Sequence, residues 1–445
     1  MRIDRLRLRN FKGFVDAQFD FHPRFNLIVG ENGAGKTSVL DGLAVAAGIW
    51  LADPPDSSLI NSGRNIYPGE LRLVAVKDGD RFQFRETGEG VSVTAAGQIG
   101  ASEVVEWTRQ VRAGGIRTTN ADAKPAQRII ADYFKRDVAG ERLIFPVIAY
   151  YGAGRAWLPS RDRSKSKAKA NATAMRWAAF YDSLFERIRP GELQAWFQAE
   201  AIATGNRSGR SRPGYQVVRQ AVLNCVPGAD DLYFDGDRKE LVFSIQKRAQ
   251  PFSNLSAGQR MLLTLVADLA IKAVTQNNHL VPPEELQAED SPTPRVLRQT
   301  PGVVLIDELD VHLHPRWQRG VIADLRRTFP AIQFFATTHS PQIVGETPVA
   351  EIILLKRDGS WSRPDQSVGL DSNEVLKDIM HAETINKAAA ADLEALERLI
   401  ADAEFERARE KIADLRRAYG ELVRLAGAEA YMARMEILAD REEEA

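Results

Sequence analysis

The chain has 445 residues, 44% of them hydrophobic and 27% charged, with a formal net charge of −1. That length suits two or three folded units, and the near-neutral balance excludes binding of polyanions over the whole surface, so any nucleic-acid site has to be local. The single cysteine, Cys225, excludes a disulfide framework and suits a reducing compartment. No run of about 18 apolar residues occurs, and Met1-Arg2-Ile3-Asp4-Arg5 lacks the pattern of a signal peptide. The expectation is a cytoplasmic protein with no membrane partner.

Residues 2–9 alternate, with Ile3, Leu6 and Leu8 set against Arg2, Arg5, Arg7 and Arg9, which predicts a half-buried strand. Asn10-Phe11-Lys12-Gly13-Phe14 turns it, and Ala17–Phe21 returns as a second strand. Phe25–Val29 reads as a short buried strand and Ser38–Ala52 as an apolar helix. Leu71–Val76 and Arg81–Arg85 flank Asp78-Gly79, a hairpin signal. Residues 1–85 therefore read as a β-rich lobe holding one helix. Residues 86–135 look less regular, with a helix from about Ala126 to Lys135. The apolar run Leu143–Ala149 leads into Tyr150-Tyr151-Gly152-Ala153-Gly154-Arg155. A basic loop at 161–170, a helix over Met175–Ala201, a second basic loop at 206–212 and a helix at Tyr215–Asn224 follow. Leu232–Phe234 and Leu241–Ile245 pair around Asp235-Gly236, and residues 278–300 read as an exposed loop.

Four stretches carry chemistry. Gly30-Glu31-Asn32-Gly33-Ala34-Gly35-Lys36-Thr37 fits G-x-x-x-x-G-K-[ST], the phosphate-cradling P-loop, and sits between a strand and a helix as that motif requires. Its glycines let backbone N–H groups, including those of Asn32, Gly33, Ala34 and Gly35 and on to Ser38, face an anion. Lys36 would reach the β- and γ-phosphates of ATP, and the Thr37 hydroxyl would ligate Mg²⁺. Asn254-Leu255-Ser256-Ala257-Gly258-Gln259-Arg260 opens an apolar helix, Met261–Val274, whose N-terminus is a second anion-binding surface. Gly302–Ile306 is a buried strand ending in Asp307-Glu308, a Walker B pattern, with Leu309-Asp310 after it. Ile332–Thr338 is a strand ending at His339-Ser340. Asp307 can hold the metal and Glu308, one residue on, can orient the attacking water. His339 can hydrogen-bond the γ-phosphate.

The order P-loop, Leu-Ser-x-Gly-Gln, strand plus Asp-Glu, strand plus His resembles an ABC-type ATPase head over roughly residues 1–345. Asn-Phe-Lys near the N-terminus and Thr-Thr-His-Ser resemble the Rad50/SMC/RecF branch. The implied fold is α/β: an ABC-type P-loop NTPase head, with a mixed sheet around the P-loop helix, an antiparallel β lobe, a helical insertion and a C-terminal helical segment. The expected domains are a head over 1–360, with lobes at 1–85 and 240–360 and an insertion at about 86–239, then a helical region over 361–445. By resemblance Ser256, Gly258 and Gln259 close over the nucleotide of a second subunit and Asp310 communicates across a homodimer that sandwiches ATP.

This chain departs from the pattern of such heads in one place. They carry a glutamine at the end of a strand between P-loop and signature, whereas Leu143–Tyr150 here ends in Tyr-Tyr-Gly-Ala-Gly-Arg. Arg155 suits contact with nucleotide or partner, and equally a structural loop. His312 and His314 have the spacing of a metal pair, yet they precede a helix at Pro315 with no third ligand evident, so a capping role is expected. The basic loops at 161–169 and 206–212 fit solvated loops, or contacts to nucleic acid or a partner.

Between Trp50 and Leu255 there are no sustained heptads, which excludes a long coiled-coil arm. Residues 356–445 show no Glu plus Asp-x-Asp cluster and no HNH or Cys/His pattern, so no nuclease of its own is expected. Apolar spacing at Leu393, Leu396, Leu399, Ile400, Ala408, Ile412 and Leu415 fits helices that pack together or dock a partner. Tyr-Tyr-Gly-Ala-Gly-Arg, His-Leu-His-Pro and Gly-Leu-Asp-Ser-Asn-Glu resemble the stand-alone ATPases of Septu-type and retron anti-phage systems. That resemblance implies an ATP switch governing a separate HNH nuclease; the rival expectation is a RecF/Rad50-like DNA-binding ATPase of repair or recombination.

Overall fold

The structure is a computed structural model and describes residues 1–55, 63–78, 81–156, 176–181, 183–185, 190–207, 210–281, 291–383 and 386–443. The loop at 161–169 lies outside them.

Two sheets enclose the P-loop helix. The first is antiparallel, in the order β2-β1-β6-β7, from β1 (Arg2–Phe11), β2 (Phe14–Asp20), β6 (Val91–Gln98) and β7 (Val104–Val111). Its strands alternate buried and solvated side chains because only one face meets the core. The second has the order β15-β14-β3-β13-β12-β8. In it β3 (Phe25–Val29), β8 (Val147–Tyr151), β12 (Gly302–Ile306), β13 (Ile332–Thr337) and β14 (Ile352–Leu355) run parallel, with the two-residue β15 (Trp361–Ser362) antiparallel at one edge. Every residue of β3, β8, β12 and β13 is buried, which is why their sequences read as unbroken apolar runs.

Between the sheets runs the P-loop helix, Lys36–Ala47, continued as a 3₁₀ turn to Leu51. From Val39 onward its residues are all buried, since Leu6, Leu8 and Val93 of one sheet and Val303 and Leu305 of the other share a single core with its Val39, Leu40 and Leu43. A second lobe is built from a helix at Pro213–Cys225, the antiparallel strands β9 (Ala229–Asp235), β10 (Glu240–Ile245) and β11 (Arg248–Pro251), and the signature helix Ala257–Gln276.

Three expectations need correcting. Residues 86–135 are not mainly loop: they hold β6 and β7, which join β1 and β2 in one sheet, ahead of the helix Lys124–Val138, so the first β lobe extends to Val111. The single helix over Met175–Ala201 is broken, with a 3₁₀ turn at Ala178–Phe180 and a new helix from Pro190 to Asn206. Proline suits a first helical turn because its missing N–H has no partner there anyway. Residues 278–300 are not all exposed loop, because Arg295–Gln299 is a short helix whose Val296 and Leu297 are buried. The hairpin β4 (Leu73–Asp78) and β5 (Arg81–Glu86) forms as expected.

The chain divides into two compact units at Val375/Leu376 rather than at 360. In the second unit, helices Lys387–Ala401, Phe405–Tyr419 and Val423–Glu443 bury Leu393, Leu396, Ile400, Ala408, Ile412, Leu415, Leu425 and Met432 together. The apolar spacing read in the tail thus serves packing within that unit. Among the described residues no helix is long and apolar enough to cross a membrane.

Leu305 is fully buried on the central parallel strand. Leu305→Ala is expected to destabilise the protein by about 2–5 kcal/mol. Denaturant unfolding checks this, and a loss below about 1 kcal/mol would contradict the packing described.

Candidate functional site

The P-loop leaves β3 at Val29 and is shaped by glycines that nothing larger could replace. Gly33 and Gly35 have φ of +82° and +100°, which side chains rarely tolerate. A Cβ on Gly30 would sit 2.4 Å from the Leu355 carbonyl oxygen at the end of β14, and one on Gly35 would sit 2.8 Å from the Phe14 ring. The loop is therefore wedged between the parallel sheet and the β1–β2 turn. Lys36 folds back over it, its ammonium donating to the carbonyls of Gly30 (2.8 Å) and Glu31 (3.1 Å). Burial lowers the pKa of Lys36, against the raising influence of Asp307, Glu308 and Asp310.

Asp307 follows β12, and its backbone N–H donates to the Tyr151 carbonyl on β8 at 2.8 Å. Its buried carboxylate accepts from the Thr37 hydroxyl (2.9 Å) on one oxygen and from the Thr337 hydroxyl (2.5 Å) on the other. A carboxylate taken out of water needs such donors to offset its lost hydration. Three elements thereby meet at one side chain: the first turn of the P-loop helix, the end of β12 and the end of β13. The Thr37 hydroxyl and the Asp307 carboxylate form a pair of hard oxygen donors suited to a small divalent cation.

Glu308 is half-buried and has φ of +49°, a left-handed conformation that costs a non-glycine residue on the order of 1 kcal/mol. The Thr337 hydroxyl oxygen holds it there by accepting the Glu308 N–H at 2.7 Å. Asp310 accepts from the Thr338 hydroxyl (2.6 Å) and from the backbone N–H of His339 (3.1 Å), and His339 itself is exposed. Thr337 and Thr338, both fully buried, are thus the positioning hydroxyls of the site. Thr-Thr-His-Ser showed their presence, but their partners depend on the register of β12 against β13, which no local pattern specifies. Gln318 was also not anticipated: its amide donates to the carbonyls of Asp310 (3.3 Å) and Leu313 (3.0 Å) and accepts from Ser340 (2.8 Å).

The signature helix opens with a capping box. The Ser256 hydroxyl accepts the Gln259 N–H (3.2 Å), and the Gln259 side-chain oxygen accepts the Ser256 N–H (2.9 Å). Gly258 is buried so tightly that a Cβ would lie 2.2 Å from the His312 carbonyl oxygen. The helix start is therefore pressed against the segment that follows Asp307-Glu308. His314 caps the helix Pro315–Thr328, its Nδ1 accepting the Arg316 N–H at 3.2 Å, in line with the capping role expected.

Arg155 lies in a 3₁₀ turn, Ala153–Ala156, directly after β8, but its side chain lies outside the described residues. In the second basic loop Arg212 pairs with Glu200 at 3.2 Å.

Two family profiles match the chain: "AAA domain" over residues 5–196, and "AAA domain, putative AbiEii toxin, Type IV TA system" over residues 228–345. Among curated relatives, the Retron Ec83 probable ATPase of Escherichia coli is 24% identical over 441 residues, covering 85% of this chain and 76% of that protein. The Septu protein PtuA of Bacillus mycoides is 33% identical over 114 residues, or 25% of this chain and 14% of that protein. The Rad50 ATPase of Archaeoglobus fulgidus, named for DNA double-strand break repair, is 28% identical over 144 residues, or 29% of this chain and 16% of that protein. The chain thus spans three quarters of the retron relative but under a fifth of the other two. With the sheet order, the motif order and the contacts between motifs, these similarities support an ABC/SMC-like ATPase head, with retron, Septu and Rad50 ATPases among the proteins it resembles.

Proposed function

We propose that the chain is a Mg²⁺-dependent switch that binds and hydrolyses ATP, closes as a homodimer around it, and thereby regulates a separate nuclease of the HNH type in bacterial anti-phage defence. The observation that carries this is the Asp307 carboxylate shared between the Thr37 and Thr337 hydroxyls at the mouth of the P-loop. Lys36, now donating to the loop carbonyls of Gly30 and Glu31, would exchange them for β- and γ-phosphate oxygens, a stronger charge-assisted pairing. The N–H groups of Asn32, Gly33, Ala34 and Gly35, with those of Lys36, Thr37 and Ser38, would surround the phosphates. Thr37 and Asp307 would hold Mg²⁺, which when bound neutralises charge on the phosphate oxygens. Glu308, held in a left-handed backbone conformation by Thr337, would take the proton of the attacking water. His339 would hydrogen-bond the γ-phosphate, with Asp310 reporting through the His339 N–H.

The dimer supplies what one head lacks. Ser256, Gly258 and Gln259 begin a helix whose N-terminus would face the γ-phosphate of the partner subunit's nucleotide. Loss of that phosphate on hydrolysis would remove the bridge and open the dimer. Similarity to the Retron Ec83 ATPase and to Septu PtuA supports the defence setting, and the near-neutral charge supports a protein rather than a polyanion as the main partner. We place the protein in the cytoplasm. The second reading, a DNA-binding ATPase of repair or recombination, is favoured by the similarity to Rad50. Against it, Arg5 and Arg7, on the exposed face of β1, are paired with Asp20 (3.1 Å) and Asp16 (2.7 Å), which reduces their charge toward a phosphate backbone.

Two substitutions test the site. Lys36→Ala is expected to weaken ATP binding at least tenfold, a loss of about 1.4 kcal/mol or more, read by nucleotide titration. Glu308→Gln is expected to bind ATP like the wild type, to release phosphate about a hundredfold more slowly, and to accumulate dimers visible by light scattering. Wild-type turnover in Glu308→Gln would remove Glu308 from the mechanism.

A further inference from the structure

The last two residues of β8, Tyr150 and Tyr151, stand where heads of this kind place their glutamine. Both are 2% exposed, and as neighbours on a strand they project to opposite faces of the sheet. On one side the Tyr150 hydroxyl donates to Asp41 of the P-loop helix at 3.3 Å. Asp41 is also paired with Lys12 of the β1–β2 turn and with Arg64 (3.4 Å). On the other side the Tyr151 hydroxyl donates to Asp268 of the signature helix at 2.6 Å, and Asp268 pairs in turn with Lys272 one helical turn on. Between them, the Tyr151 backbone carbonyl accepts the N–H of Asp307 at 2.8 Å. A single strand end therefore holds the P-loop helix, the signature helix and the metal-facing aspartate.

We infer that Tyr150 and Tyr151 are positioning residues that couple the placement of the signature helix to the P-loop helix and Asp307, in the place of the missing glutamine. The coupling is short and covalent at its centre. A shift of the signature helix pulls on Asp268, then on the Tyr151 ring and the peptide that receives the Asp307 N–H. Burial and the neighbouring Asp268 carboxylate push the Tyr151 phenol well above its ordinary range, which favours the protonated, donating form seen in its bond to Asp268. A phenylalanine would fill the same space, so the hydroxyls themselves are what packing leaves unexplained.

This inference rests on the ATPase reading above, and steady-state phosphate release across an ATP titration separates the two. Tyr151→Phe is expected to lower kcat about tenfold, the loss of roughly one hydrogen bond at the transition state, with KM for ATP within twofold of wild type. Removing Asp268 as well should add nothing, so Asp268→Ala and the Tyr151→Phe/Asp268→Ala pair should match Tyr151→Phe, while Asp268→Asn, which keeps an acceptor, should retain most activity. Tyr215→Phe is the control: it deletes a half-buried hydroxyl bonded to the Leu232 carbonyl at 3.0 Å, away from Asp307, and should leave kcat unchanged. Wild-type kcat in Tyr151→Phe, or an equal loss in Tyr215→Phe, overturns the coupling and leaves the ATPase reading intact. A wild-type protein that releases no phosphate overturns both.

Discussion

A buried carboxylate needs donors to replace the water it gives up, and the hydrogen-bond partners of Asp307, two hydroxyl donors to its carboxylate and one carbonyl acceptor for its N–H, come from three different parts of the chain. The hydroxyls of Thr37 and Thr337 and the carbonyl that receives its N–H, on Tyr151, belong to the P-loop helix, β13 and β8 respectively. Asp307 can be satisfied only when the parallel strands are in register and the helix lies directly over them. The architecture follows from that requirement. Four fully buried parallel strands fix the strand ends relative to one another, and the P-loop helix, buried from Val39 onward, is held between their sheet and the antiparallel one.

Two close backbone approaches carry the constraint outward. Gly30 brings the P-loop against the end of β14, and Gly258 brings the signature helix against the segment after Glu308. Asp310 then links that segment to His339 through a single backbone hydrogen bond. The chemical groups are thus spaced along a continuous shell of short contacts around one strand end, which is the kind of arrangement in which a change at the phosphate site is felt at the signature helix. The proposed switch uses this shell twice, once to grip nucleotide and once to present Ser256 to a second subunit.

Much of this was legible in the sequence because the decisive signals are local. A glycine-rich loop between an apolar strand and an apolar helix, and two carboxylates after Gly302–Ile306, declare themselves by composition alone. The strands β6 and β7 were missed because Val91-Ser-Val-Thr-Ala-Ala-Gly-Gln98 alternates with small and hydroxylated residues, so its buried face carries little apolar bulk. The short helix Arg295–Gln299 was hidden in a proline- and glutamine-rich stretch whose burial is imposed by its neighbours. The roles of Thr337, Thr338 and Tyr151 were beyond local pattern for another reason. A hydroxyl declares a donor, but its acceptor is chosen by strand register between segments far apart in the chain.

The central claim is that each nucleotide site is shared, with Lys36 and Thr37 from one head and Ser256 from the other. Mixing two inactive variants tests it most directly. Lys36→Ala keeps its signature and Ser256→Arg keeps its P-loop, so a mixed dimer contains one intact composite site beside one doubly broken site. The account predicts that neither variant alone hydrolyses ATP and that the equimolar mixture recovers phosphate release. A mixture as inactive as its components, under conditions in which the two proteins are shown to associate, would contradict it.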